Sequence, residues 1–205
     1  LIMRAWGREL LFAFFGKKKD KKSGWPAWVK KTDEERIQNM PWILENKEPW
    51  IATEKIDGTS TTFTMKMLND RKKELIVCSR NVVFDKPDKN CYYDTNVYIE
   101  MAQKYDVENI LKKLIETYNL KWVTHQGETF GASIQKRDYG MKNHDFYGFN
   151  LIFSDRGRLG TVESAEIMKE FGVTWVPIID TEFILPDTVD ELLAYATDKS
   201  KVDGD

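Results

Sequence analysis

Apolar positions in this chain recur with two different periods. Val107, Ile110, Leu111, Leu114, Ile115 and Tyr118 fall on one face at helical spacing, and Asp106 stands where a cap belongs. Leu75–Ser79, Trp122–Glu128, Phe146–Phe153 and Val173–Ile179 are β-rich instead. In Trp50–Lys66 a lead-in of Trp50, Ile51 and Ala52 is followed by Asp57-Gly58 and then by Thr61 to Met65, which predicts a β-hairpin turning at Asp57-Gly58. Shorter helices are expected from a capping box at Thr32-Asp33-Glu34-Glu35 to Asn39 or Met40, where Pro41 stops it. Others are expected from Tyr98 to Tyr105, from a Thr161 cap to Gly172, and after a second box at Thr188 and Glu191. Residues 82–97 and 129–143 read as loops. Residues 1–16 show an apolar stripe of Trp6, Leu10 and Phe14, a linker runs to Gly24, and Trp25–Val29 is expected to be extended. Strands alternate with few helices and no βαβ rhythm, so the fold class is α+β with a mainly antiparallel sheet.

With 205 residues, 41% hydrophobic and 31% charged, the chain can bury one core and carry an appendage. The division expected is 1–24 as N-terminal helix and basic linker, and 25–205 as one domain. A net charge of -2 provides no global basic field for nucleic acid, although Lys17, Lys18, Lys19, Lys21 and Lys22 form a local run, as solvated linkers also do. Cys78 and Cys91 are too few for a disulfide framework and fit a reducing compartment, cytoplasmic or nuclear. With His125 and His144 they make no metal cluster. No apolar run approaches the roughly 20 residues of a membrane helix, so no membrane is expected. The oligomeric state expected is a monomer.

Lys55, Asp57, Arg80 and Glu128 stand at or just after predicted strand ends, and Phe149 lies in an aromatic-rich strand. A lysine amine is nucleophilic only when neutral, and at a pocket rim it could attack a nucleotide α-phosphate. Arg80 offers a fork to phosphate or ribose oxygens, Glu128 accepts from ribose hydroxyls, and Phe149 offers a face to a purine. Taken singly, each has a plain alternative: a solvated lysine before a turn, a surface ion pair, a turn carboxylate and a core aromatic.

The order of these groups resembles that of the covalent nucleotidyltransferases and, within them, the nick-sealing RNA ligases. Glu54-Lys55-Ile56-Asp57-Gly58-Thr59-Ser60 is similar to their nucleophile motif, Ser79-Arg80-Asn81 to the next, and Gly127-Glu128-Thr129-Phe130-Gly131 to the third. Ile134-Gln135-Lys136 and Phe146–Asn150 resemble the segment that reaches the adenine-stacking strand. Trp25-Pro26 through Asn39 resembles the lead-in of ligases that carry an N-terminal OB-type domain. The resemblance covers residues 25–180. It implies an ATP-grasp-like ligase adenylation domain, with Lys55 as the adenylated lysine and Glu54 reading adenine. Ile56, Asp57 and Gly58 would complete the nucleotide site, Arg80 and Glu128 would hold ribose and phosphates, and Phe149 would stack on the base. Gln135 and Lys136 would contact RNA. The cofactors implied are ATP and Mg²⁺ or Mn²⁺, and the partners are RNA ends or a nicked duplex.

On this resemblance an acidic strand and a two-lysine strand would follow Val173. Nothing there matches them, so a fragment is expected, with no metal ligand assignable and weak or absent self-adenylation. The same lysine chemistry fits a DNA ligase or an mRNA guanylyltransferase. A binding module that keeps only the fold is a further alternative.

Overall fold

The computed structural model describes residues 25–32, 34–69, 71–84, 96–137, 139–197 and 199–202. The expected helix over 1–16, the lysine run and Cys91 lie outside them.

Six strands form one antiparallel sheet in the order β4-β3-β2-β5-β6-β7. They are β2 (Thr59–Asn69), β3 (Lys72–Cys78), β4 (Val83–Phe84), β5 (Trp122–Gly131), β6 (His144–Phe153) and β7 (Gly157–Arg158). A second sheet has two antiparallel strands, β1 (Trp50–Thr53) and β8 (Ile178–Phe183). The helices are α1 (Val97–Lys104), α2 (Val107–Tyr118), α3 (Thr161–Lys169) and α4 (Val189–Tyr195). The α+β expectation therefore holds.

Side chains alternate across the large sheet, and its two faces differ in chemistry. Phe63 and Met65 of β2, Val123 of β5, and Leu151 and Phe153 of β6 bury one face, where α2 lays Leu111 and Leu114 and α3 adds Met168. The predicted stripe of α2 is buried from Val107 to Ile115. The opposite face carries Thr62, Thr64, Thr124 and Gln126, all buried and polar. Buried polar groups need partners. Thr64 Oγ1 meets Thr124 Oγ1 at 2.7 Å, Asn150 Nδ2 donates to Gln126 Oε1 at 3.0 Å, and residues 25–32 cross this face as a strap. Trp28 Nε1 donates to Thr64 Oγ1 at 3.1 Å and Gln126 Nε2 to the Lys30 carbonyl at 2.8 Å.

Several local expectations are corrected. Trp50–Lys66 is no hairpin: β1 pairs with β8 and β2 with β3 and β5, so Glu54–Gly58 crosses from one sheet to the other. Thr32 caps nothing, because its hydroxyl lies 2.8 Å from Ser60 Oγ, and only a 3-10 turn, Ile37–Asn39, follows. Pro41 begins a second 3-10 turn, Pro41–Glu45, where its fixed φ suits the first position. Residues 25–29 form a turn closed by Val29 N–H on the Pro26 carbonyl. Asp106 holds the expected N-cap position at φ +49, but its carboxylate accepts from Asn109 Nδ2 and makes no bond to a helix backbone N–H. Thr161 lies inside α3, whose cap is Gly160. Trp175 makes one bridge to Gly148, and the strand expected from Val173 begins only at Ile178. The Thr188–Glu191 capping box forms as expected, on a helix of 7 residues.

Candidate functional site

Lys55 lies where the chain leaves the small sheet for the large one. The Glu54 N–H donates to the Pro177 carbonyl at 2.9 Å and so extends the β1–β8 ladder by one rung. Lys55 is exposed, and the next side chain, Ile56, is buried in the core at 3% exposure. Ile56 was expected in the nucleotide site, but its side chain anchors the segment. Gly58 then meets β5 so closely that a Cβ would stand 2.3 Å from the Thr129 carbonyl oxygen and 3.0 Å from Glu128 Cγ. Only a residue without a side chain permits this approach.

The structure gathers four of the expected groups. Glu128 is the register partner of Ser60 and shares its face of the large sheet. Burial pushes its carboxyl up to about 7, Lys55, the Gly58 N–H and Arg80 pull it back down, and Asp57 pushes it up. Desolvation disfavours the carboxylate and the cations favour it, so these four side chains act on one another through one local field. Such a carboxyl is poised near neutrality, able to accept or donate a hydrogen bond.

Glu54 is engaged by its own protein. Ser200 Oγ donates to one carboxylate oxygen, and the Lys201 N–H donates to the other at 2.8 Å. Phe149 stands at an irregularity. Gln126 pairs with Asn150 and Gly127 with Gly148, which leaves Phe149 as the extra residue of a β-bulge. Bulges re-aim side chains and are common beside active sites. The bulge has a firm floor: Gly148 is bonded to the Thr174 carbonyl and the Val176 N–H, and a Cβ on it would strike His125 Nε2 at 2.4 Å. His125 is buried and stacks on Trp175 with centroids 6.0 Å apart. Phe149 itself is half-buried.

Gln135 and Lys136 are exposed, and the Gln135 amide donates to the Gly58 carbonyl at 3.0 Å. Sequence reading passed over Tyr139, whose hydroxyl accepts from the Asp57 N–H at 2.6 Å, and over Ser200 and Lys201. It also left Thr32 and Lys30 out of the site, although both bind the face that carries Glu128. Pairing at such sequence separations leaves no local signal.

No group of three or more His, Cys, Asp or Glu side chains converges to hold a metal ion among the described residues. No described helix is long and apolar enough to cross a membrane.

Comparison with known proteins adds context to this arrangement. A family model described as RNA ligase matches residues 48–204. A Naegleria gruberi RNA ligase with pyrophosphate superposes with a TM-score of 0.67 at 30% identity, covering 82% of this chain and 48% of that one. A point variant of the same ligase with ATP and manganese gives 0.67 at 31% identity, covering 82% and 47%. An apo variant gives 0.71 at 30%, covering 87% and 50%. The chain thus spans about half the length of these solved structures. A search of curated proteins finds no match.

Proposed function

The chain belongs to the RNA ligase family, and from that premise we propose that it supplies the adenylation domain of an ATP-dependent enzyme joining RNA 3′-hydroxyl and 5′-phosphate ends. The observation that carries the reading is the shared field of Lys55, Asp57, Arg80 and Glu128 at the junction of the two sheets. Three charged groups from two separate segments act on one buried carboxyl, an arrangement that suits the handling of a polar ligand. The solved relatives with ATP, AMP and manganese support the choice of nucleotide.

In this proposal Lys55 Nζ, having lost a proton, attacks the α-phosphorus of ATP. A P–N bond forms, the P–O bond to pyrophosphate breaks, and lysyl–AMP results. The AMP then passes to an RNA 5′-phosphate, and a 3′-hydroxyl displaces it. Arg80 steadies phosphate oxygens, Glu128 bonds the ribose hydroxyls, and Glu54 reads the adenine edge. Phe149 stacks on the base, a contact worth roughly 1–3 kcal/mol. Lys136 reaches toward RNA. A divalent ion, when bound, would neutralise charge on the phosphates as pyrophosphate leaves.

The test is incubation with α-labelled ATP and a divalent metal, followed by a denaturing gel, beside Lys55→Ala and a GTP lane. The wild type is expected to take up label from ATP at a low level and Lys55→Ala none. Label surviving in Lys55→Ala, or equal labelling by GTP, would overturn the reading.

A further inference from the structure

The segment that carries Lys55 is gripped by a single loop. The Asp57 N–H donates to the Tyr139 hydroxyl at 2.6 Å, and the Gln135 amide donates to the Gly58 carbonyl at 3.0 Å. The two bonds bracket the Asp57–Gly58 peptide, two residues beyond Lys55, while the side chain of Ile56, between Lys55 and Asp57, is sunk in the core. On this side of Lys55 every residue as far as β2 is tied down.

The loop is itself rigidly made. Tyr139 is buried, its ring lies edge-on to Phe130 at 5.3 Å, and the Arg137 guanidinium stands 4.7 Å above it. Its backbone sits at φ +56, a region that bulky L-residues seldom enter and that costs about 1–3 kcal/mol. Its surroundings, rather than its own preference, hold it there. At the start of the loop the Ala132 carbonyl is bonded to His144 Nε2 at 3.0 Å, which ties it to β6.

We propose that Tyr139 and Gln135 are positioning residues for the nucleophile: they fix the Asp57–Gly58 peptide and, through it, the direction in which Lys55 presents its amine. The proposal rests on the reading of Lys55 given above and deepens it. It also moves Gln135 from the RNA-contacting role that the resemblance implied to a role inside the protein. Both side chains bond the backbone beyond Lys55. A small misplacement of an attacking group lowers the rate of attack without weakening binding.

The test uses Tyr139→Phe, which keeps the ring against Phe130 and beneath Arg137, and Gln135→Ala at an exposed position as the second variant. Two readouts need no catalysis: hydrogen exchange of the Asp57 amide by NMR, and reaction of Lys55 with trinitrobenzenesulfonate followed by peptide mass analysis. In Tyr139→Phe the Asp57 amide is expected to exchange about tenfold faster, as for a lost hydrogen bond. The Lys55 reaction rate should change about threefold or more, with the other lysines unchanged. The maximal rate of lysyl–AMP formation should fall about tenfold at an unaltered half-saturating ATP concentration. Wild-type amide exchange and Lys55 reactivity in both variants would overturn the proposal, as would labelling at the full rate. Altered exchange and reactivity beside label that survives in Lys55→Ala would uphold the grip and overturn the adenylation reading instead.

Discussion

The two sheets that meet at Lys55 are held together by different means. In the large sheet Phe63, Met65, Val123, Leu151 and Phe153 are wholly buried, and helices cover that face. In the small sheet no residue of β1 or β8 is buried, and Trp50, Ile51 and Ile179 stand 36%, 40% and 43% exposed. The large sheet is fixed by apolar burial and the small one mainly by its ladder and a few edge contacts. Lys55 therefore leaves a weakly anchored element and is secured by a strongly anchored one. The groups expected to be fixed in space, Glu128 and Asp57, belong to the large sheet or are tied to it.

If this contrast is right, truncating Phe63 to Ala should cost about 3–5 kcal/mol in urea unfolding. A cost below about 1 kcal/mol would break the comparison outright. Gly58→Ala is next in size. The added Cβ would press on the Thr129 carbonyl, so stability should fall by roughly 2 kcal/mol and lysyl–AMP formation should drop further than stability explains. A Gly58→Ala protein with wild-type stability and labelling would show that the junction is loose.

Glu128→Gln probes the same junction by pH. Burial holds the folded carboxyl at about 7, above its ordinary 4.5. The folded state therefore keeps a proton that the unfolded state has released, and wild-type stability falls as pH rises from about 4.5 to 7 and is level above that. Glutamine removes this dependence, so the variant should gain roughly 1–2 kcal/mol over wild type at pH 8 relative to pH 4.5. Parallel melts at the two pH values check it, and an unchanged difference would mean that the carboxyl is solvated. The smallest effect is expected at Ile51→Thr on the exposed small sheet, within about 0.5 kcal/mol by thermal denaturation.

Sequence reading recovered the parts of the fold that repeat locally. The α2 stripe is visible because every third or fourth residue reports the same buried face, and β5 and β6 are visible because their β-rich runs are long. The order of Lys55, Arg80 and Glu128 was legible as well: Lys55 and Arg80 follow β1 and β3, although Glu128 lies within β5 and not at its end. The hairpin failed because Asp57-Gly58 looks the same whether the chain doubles back or crosses between sheets, and the choice belongs to β8. The first capping box failed because Thr32 had a better partner in Ser60. Ser200, Lys201 and Tyr139 were invisible for a like reason: Ser200 lies 146 residues from Glu54 and Tyr139 lies 82 from Asp57.

The pairing of β1 with β8 also imposes an order of events during synthesis. Lys55 leaves the ribosome early, but the strand that frames its incoming side, Ile178–Phe183, emerges only after nearly all the other described elements. Contacts between segments so far apart close late and slowly. A nascent chain halted after β6 would already hold Glu128 opposite Ser60 and Gln135 and Tyr139 within reach of Asp57 and Gly58, yet Glu54 would have no Pro177 to bind. Translation itself would thus keep Lys55 half-framed until Ile178–Phe183 has been made.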